Sequence, residues 1–168
     1  GYMDVQEDIT EKKLAEKKLV QAALQYRTLF AQSPDGICLI DFETFLPLDF
    51  NTQVHKQLGY SREEFSQLKI SDYEIVETTK AIRTRAKKII QEGHGDFITR
   101  HKTKNGDTSE VQITIQKIFL HGNPVLYKIF RDVTDKIKLE KTQRQQEIDQ
   151  QRQIMEATIA GQEKEKNE

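Results

Sequence analysis

The sequence has little of several features on which common protein classes depend. It contains a single cysteine, Cys38, so no disulfide can form within the chain, and a reducing compartment is expected. Its 26 Lys and Arg residues nearly balance its 27 Asp and Glu residues, which leaves no surplus of positive charge for nucleic-acid phosphates. No apolar run approaches the roughly 18 residues typical of a membrane-spanning helix. These shortages predict a cytoplasmic protein that neither binds nucleic acid nor inserts into a membrane.

Residue patterns typical of enzymes and metal sites are also missing. The sequence shows no Ser, His and Asp arrangement of a nucleophilic triad and no Gly-rich phosphate loop. Its histidines lack the spacing of metal ligands and have no cysteine pair to join them, so we expect them to face solvent. They are His55, His94, His101 and His121. We therefore predict no catalytic residue and no metal site in this chain.

Charged and apolar residues are unevenly distributed. From Asp135 to Glu168 there are 15 charged residues, seven Gln, no Pro and one Gly. Such a segment can form a long helix but cannot bury a core. The apolar residues are concentrated between about Tyr26 and Val133, a span typical of one domain. A second charged helix is predicted from an N-cap at Thr10 through Phe30, so the chain should be one domain between two charged helices.

Turn signals and apolar periodicity predict short elements in the central region. Asn51 is expected to cap a short helix that ends at Gly59, and Ser61 begins a capping box. A longer amphipathic helix is predicted for residues 75–91 and ends at Gly93. Strands are predicted at residues 37–41, 46–50, 96–103 and 125–133, with another strand in which Val111, Ile113 and Ile115 alternate with polar residues.

Two predicted turns and the need to cover both faces of the sheet complete this secondary-structure prediction. Asn105-Gly106 predicts a hairpin, and Gly122-Asn123-Pro124 predicts the turn into the last strand. The last strand is apolar on both faces, so the sheet should need a cover on both sides. The middle helices can cover one face, and the N-terminal helix or a partner subunit is expected to cover the other.

A short signature occurs twice. Asp8-Ile9-Thr10-Glu11-Lys12 and Asp132-Val133-Thr134-Asp135-Lys136 lie 124 residues apart, and each precedes a charged helix. Self-similarity at about one domain length indicates that the chain begins with the tail of a preceding, similar domain. Because the chain also starts with Gly1, we interpret it as a segment of a longer protein, with Gly1 a cloning remnant.

The element order and several motifs resemble a PAS domain over residues 26–136. The resemblance implies an α+β fold, in which a five-stranded antiparallel sheet carries helices on one face and long N- and C-terminal helices flank it. It divides the chain into the end of a preceding PAS-like domain and a linker helix (residues 1–25), the PAS domain (26–134), and a C-terminal signalling helix (135–168). The motifs are Phe30–Ile37, Asn51, Leu58–Phe65, Lys104-Asn105-Gly106 and Arg131–Thr134.

A second resemblance concerns the end of the chain. Residues Ile154–Glu165 resemble the start of the dimerisation helix of bacterial sensor histidine kinases, although the phosphorylated His motif does not follow within the sequence. This likeness implies a two-component histidine kinase as the parent protein, with no kinase chemistry in this chain. Two alternatives stay open, namely a PAS sensor that binds a small molecule, and an interaction or dimerisation PAS domain attached to a cyclase or a transcription regulator.

The resemblance also suggests which residues carry a signal. Asp132 at the end of the last strand is expected to tie the sheet to the following helix, and Thr134 to cap that helix. Asn51 is expected to take part in the same transmission of a signal. In the last helix, Ile148, Met155 and Ile159 fall near heptad spacing and predict a parallel homodimer.

A ligand pocket between the long helix and the sheet is the remaining hypothesis. We predict neither haem nor flavin, because the long helix contains no His and because Cys38 falls on a strand instead of the helix where flavin-binding PAS domains place a reactive Cys. The same apolar residues could equally form a packed core. The predicted lining residues are Ile82, Ala86, Ile90, Ile113, Ile115 and Ile129.

Overall fold

The computed structural model describes residues 1–168 and contains five strands and six helices. The predicted α+β fold with flanking helices is confirmed, and the chain also has a short helix, α4, that the sequence did not predict. The elements are α1 (Tyr2–Gln32), β1 (Gly36–Asp41), β2 (Pro47–Phe50), α2 (Thr52–Leu58), α3 (Arg62–Phe65), α4 (Ile70–Tyr73), α5 (Thr79–Glu92), β3 (His94–Lys102), β4 (Thr108–Leu120), β5 (Asn123–Asp132) and α6 (Thr134–Lys166).

The five strands form one antiparallel sheet in the order β2-β1-β5-β4-β3. Its inner face and helices α2 to α5 enclose the core, a cluster of 17 buried residues. Val111, Ile113 and Ile115 of β4 all lie in that cluster, so the predicted period-2 face is confirmed. Gly36 permits the close approach of β1 to Phe130, because a Cβ atom at Gly36 would lie 2.7 Å from the Phe130 ring.

Local capping signals were predicted correctly in the middle of the domain. The Asn51 side chain accepts a hydrogen bond from the Val54 N–H and caps α2, which ends at Gly59 with a left-handed φ of 76°. Ser61 and Glu64 form the predicted capping box of α3. These motifs depend on neighbouring residues only, which is why the sequence alone reveals them.

Helix starts were predicted less well. Thr10 lies inside α1, where its hydroxyl donates to the Gln6 carbonyl, so its assignment as the N-cap is wrong. Helix α5 begins after Thr78, which caps it, and not at Ile75. The Ile75 N–H instead donates to the Arg100 carbonyl of β3, because the chain before α5 is extended along the sheet.

The turn between β4 and β5 also differs from the prediction. It consists of His121 and Gly122, with φ values of 49° and 79°, and β5 begins at Asn123. Two residues with positive φ are typical of a type I′ hairpin, whose twist matches that of the strands. The predicted turn at Gly122–Pro124 is therefore displaced toward the C-terminus.

The flanking helices α1 and α6 contain no buried residue. The expectation that α1 covers the second face of the sheet is therefore wrong, and Ile98 and Leu120 remain exposed on that face. A partner subunit as the cover stays a prediction. None of the helices contains an apolar segment of the length needed to cross a membrane.

Candidate functional site

The junction between the sheet and α6 is the first candidate site. The Val133 N–H donates to the Glu110 carbonyl at 2.9 Å, and the Glu110 N–H donates to the Thr134 hydroxyl at 3.0 Å. Thr134 is the first residue of α6 and Val133 occupies the N-cap position, so the prediction that Thr134 caps the helix is wrong. Thr134 instead anchors the start of α6 to β4.

Asp132 has a more local role than predicted. Its Oδ1 accepts a hydrogen bond from the Thr134 N–H at 2.9 Å, across the turn that leads into α6. No hydrogen bond runs from the Asp132 side chain back to the sheet. The tie between sheet and helix is made by Val133 and Thr134 with Glu110, and Asp132 shapes the turn between them.

Asn51 connects the other end of the domain. Its side chain is 2% exposed and accepts from the Ile37 N–H at 3.0 Å. Its amide donates to the carbonyls of Phe30 and Asp35, at 2.9 and 3.0 Å. Asn51 therefore joins the last turns of α1 to β1, in addition to capping α2.

An ion pair links these two junctions. The Arg131 guanidinium donates from Nε and Nη2 to the two carboxylate oxygens of Asp35, at 2.9 and 2.6 Å. Asp35 lies in the segment that Asn51 holds, and Arg131 precedes Asp132 directly. This pair was not predictable from residue spacing, because 96 residues separate its members. Both nevertheless fall within motifs of the PAS resemblance.

The interior of the domain is the second candidate site. A small, partly open cavity of about 30 Å³ lies between α5 and the sheet, and Ile82, Ala86 and Ile115 line it as predicted. Ile113, which is fully buried in the core, and Ile90, which lies at the edge of the core, do not line the cavity, so their assignment to its wall is wrong. Ile129 belongs to the opposite face of the sheet, since it alternates with the core residues Leu126 and Phe130, so its assignment to the pocket is wrong.

Lys128 is a buried charged residue on the wall of this cavity. It is 3% exposed, and its ammonium lies 5.2 Å from the centre of the Tyr73 ring and 5.3 Å from that of Phe130. Burial lowers the pKa of Lys128 from 10.5 to about 8, because the charged form is poorly solvated there. The sequence carried a signal for this residue, since Lys128 falls between Leu126 and Phe130 on the inward face of β5.

Glu74 on the cavity wall and His101 in the core are further buried polar groups. Glu74 Oε1 accepts hydrogen bonds from the Thr99 hydroxyl at 2.7 Å and from the Val76 N–H at 2.9 Å. His101 is 1% exposed, and neither ring nitrogen has a hydrogen-bond partner. Burial holds the pKa of His101 well below 6.5. The expectation that this histidine faces solvent is therefore wrong, because β3 turns its ring inward between Tyr73 and Phe130.

The remaining predicted residues have simple surroundings. Cys38 lies buried on β1, and burial raises the pKa of its thiol from 9.0 to about 12, so the reactive thiolate is disfavoured. Ile148, Met155 and Ile159 lie on the surface of α6. No three His, Cys, Asp or Glu side chains are grouped so that they could hold a metal ion.

Comparison with known proteins agrees with this architecture. Residues 34–135 match the protein family described as PAS domain. A curated relative, the methyl sulfide methyltransferase-associated sensor of Methanosarcina acetivorans, is 26% identical over 126 residues, which cover 75% of this chain. That match covers 13% of the relative, so the chain spans only a small part of its length.

Two solved structures share the fold. The PAS domain of an HTR-like protein from Haloarcula marismortui superposes with a TM-score of 0.65 at 22% identity, covering 71% of this chain and 98% of that one. A domain of a sensory box sensor histidine kinase/response regulator from Geobacter sulfurreducens has a TM-score of 0.57 at 27% identity, covering 68% and 96%.

Proposed function

This chain belongs to the PAS domain family of non-catalytic sensor modules, and we propose that it relays a signal to a histidine kinase that follows α6 in the same protein. The similarity to a domain of a sensor histidine kinase supports this output, as does the likeness of residues 154–165 to a kinase dimerisation helix. We place the protein in the bacterial cytoplasm and propose that it works without haem or flavin.

The observation that carries the proposal is a continuous set of polar contacts between the two flanking helices. It runs from the Phe30 carbonyl of α1 through Asn51 to Asp35, and from Asp35 to Arg131. Arg131 adjoins the turn in which Asp132 binds the first N–H of α6. A change in the position of α1 is thereby transmitted to the strand that leads into α6, without passing through the apolar core.

A dimer is part of the same proposal. Helix α6 has 33 residues and no buried side chain, and so polar a helix is only marginally stable by itself in water. Pairing of two copies in parallel through Ile148, Met155 and Ile159 would cover its few apolar side chains. Light scattering should then give twice the mass of the chain, and a monomer at high micromolar concentration would contradict the dimer.

A fusion protein tests the relay. The whole chain is joined through α6 to the catalytic part of a histidine kinase, and autophosphorylation is measured. One residue inserted after Gln143 rotates the following helix by about 100°, whereas seven residues restore the heptad phase. Activity should change with the first insertion and recover with the second. Equal activity in all three proteins would refute transmission through α6.

The ion pair between Asp35 and Arg131 can be tested in the same fusion. Arg131→Gln removes the charge that pairs with Asp35. The response is the change in autophosphorylation when residues 2–25 are deleted, and this change should be smaller in the Arg131→Gln variant than in the wild type. Arg83→Gln is the matched control, because Arg83 is exposed on α5, away from both junctions. An identical response in the Arg131 and Arg83 variants would contradict the role of the pair.

A second candidate function is the sensing of a small molecule inside the domain. Lys128 and Glu74, which are buried on the wall of the cavity, support this second function. Lysine and glutamate are seldom buried in a core whose only role is packing. The two functions are compatible, because β5 carries both Lys128 and the connection to α6.

A further inference from the structure

Four charged side chains line the interior cavity, and Lys128 is the one without a hydrogen-bond or ion-pair partner. Glu77 pairs with Arg85, and Glu74 accepts hydrogen bonds from Thr99 and from the backbone. The Lys128 ammonium makes no hydrogen bond, lies over the faces of two aromatic rings, and is close enough to Glu74 for that carboxylate to favour its charged form and raise its pKa against the larger lowering by burial. A buried ammonium normally donates its hydrogen bonds to an acceptor. The three N–H donors of Lys128 have no such acceptor in the protein and are therefore available to a ligand.

Arg85 supplies a second free donor at the same cavity. Its Nη2 donates to Glu77, and its guanidinium is stacked 3.6 Å above the centre of the Phe97 ring. Its Nη1 is enclosed and has no hydrogen-bond partner. Two cationic side chains, each with a donor that makes no hydrogen bond, therefore line a space of about 30 Å³ together with the carboxylates of Glu74 and Glu77.

We propose that this cavity binds a small monovalent oxyanion, of the size of formate, acetate or nitrate, between the Lys128 ammonium and the Arg85 guanidinium. The inference rests on the proposed sensory function and names the chemical class of its stimulus. Charged donors and an oxyanion form the strongest class of hydrogen bond, and the anion would supply an acceptor to the Lys128 ammonium and to Nη1 of Arg85.

The size and polarity of the cavity select this class of ligand. Its volume of about 30 Å³ is close to the share of one molecule in liquid water, so an anion of three or four heavy atoms is the upper limit and enters only if the Arg85 side chain moves. The rest of the wall is mainly apolar, with Ile82, Ile89 and Leu126 among its residues. Such a wall penalises a divalent anion more than a monovalent one, because the cost of removing water grows steeply with charge.

A route to the cavity exists at Arg85. A groove of about 680 Å³ lies on the surface between α5 and β3, and Arg85, Ile89 and Phe97 border both the groove and the cavity. Lys80 and Lys88 also line the groove, together with Glu92 and Asp96, and Lys88 pairs with Glu92. Rotation of the partly exposed Arg85 side chain away from Phe97 would open the boundary between the two spaces.

Binding at Lys128 would act directly on the output strand. Lys128 lies four residues before Asp132 on β5, with Cys38 of β1 and Ile115 of β4 as its cross-strand neighbours. An anion draws the ammonium away from the Tyr73 and Phe130 rings, and those rings pack at the centre of the core. The position of β5 between β1 and β4 then depends on occupancy of the cavity.

Titration of the 168-residue chain with sodium formate, acetate and nitrate tests the proposal. Thermal unfolding and calorimetry are measured at constant ionic strength, which is maintained with sodium sulfate because a divalent anion should not enter. At least one of the three anions should give a saturable rise in melting temperature. Lys128→Met should weaken that binding about tenfold or more, since a charged hydrogen bond is lost. Lys117→Met, a substitution at a lysine outside the cavity whose Nζ donates to the Ile90 carbonyl, should retain it.

Nitrogen-detected NMR of the lysine side chains gives a second measurement that does not depend on a variant. The Lys128 ammonium resonance should shift with the same midpoint as the thermal effect. If none of the three anions gives a saturable shift at tens of millimolar, the cavity holds an ordered water only and the proposal is overturned. Unchanged affinity in Lys128→Met would overturn it as well. Binding without any change in the kinase fusion would instead support the ligand and refute its coupling to α6, whereas the relay from α1 is tested by the helix insertions, so the two proposals fail separately.

Discussion

Replacing Lys128 with Met should make the stability of the protein respond differently to pH. Burial lowers the pKa of Lys128 from 10.5 to about 8, so the folded state holds this proton less tightly than the unfolded chain does. A lysine with a lowered pKa in the folded state destabilises the fold below that pKa. The penalty decreases as pH rises from about 8 toward 10.5.

The size of the effect follows from the two pKa values. Their difference corresponds to about 3 kcal/mol in total, of which about 1.4 kcal/mol is recovered between pH 7 and pH 9. Cys38 acts in the opposite direction, because its pKa is raised from 9.0 to about 12 and its thiol ionises first in the unfolded chain. That ionisation removes about 0.4 kcal/mol at pH 9. Tyr73, whose pKa is raised from 10.0, contributes only at higher pH.

Urea unfolding at pH 7 and pH 9 measures this difference. Tyrosine fluorescence is the probe, because the chain has five Tyr and no Trp. The wild-type protein should gain about 1 kcal/mol of stability from pH 7 to pH 9, whereas Lys128→Met should gain nothing or lose slightly. At pH 7 the variant should be at least as stable as the wild type, since an apolar side chain of similar volume replaces a desolvated charge.

The control for this experiment is Lys117→Met, which removes a half-buried lysine of β4 outside the cavity. It should keep the wild-type dependence on pH. If Lys128→Met also keeps that dependence, the Lys128 amine is not desolvated in the folded protein. The inference of a lone buried ammonium would then be wrong.

Features of the fold that depend on neighbouring residues were predictable from the sequence. Asn51 and Ser61 cap helices, and Gly59 ends one, through contacts with residues only a few positions away. Their residue types and spacing are therefore sufficient to predict these helix ends. The alternation in β4 was equally direct, because one face of the strand is apolar throughout. The start of α5 was not predictable, since Ile75 fits the helical spacing but is held by a backbone hydrogen bond to Arg100 of β3.

The candidate sites were harder to predict because their residues contradict the usual preference of their type. Lys128 and His101 face inward on strands, although lysine and histidine are more often exposed. In β3 the inward positions are Phe97, Thr99 and His101, and a single aromatic residue among them gives no clear apolar alternation. The burial of His101 depends on Tyr73 and Phe130, which are distant in sequence. Only the assembled sheet brings these groups together.

Two further substitutions test the buried polar residues. Asn51→Ala should lower the free energy of unfolding by about 3 kcal/mol. The Ile37 N–H and the carbonyls of Phe30 and Asp35 lose their hydrogen-bond partner, and α2 loses its cap. A loss below about 1 kcal/mol in urea unfolding would contradict this. His101→Phe should stabilise the protein by about 1 kcal/mol at neutral pH, since it removes two buried nitrogens that have no partner. Its effect should grow in acid. The pKa of His101 is held well below 6.5 in the folded protein, so the unfolded chain takes up the proton first and the wild type loses stability as pH falls below 6.5. The Phe variant should not show this loss of stability between pH 7.5 and pH 5. His94→Phe, at an exposed position of the same strand, should retain the acid dependence. An equal loss in wild type and His101→Phe would show that His101 is protonated inside the fold, where it would need an acceptor that the described packing does not provide.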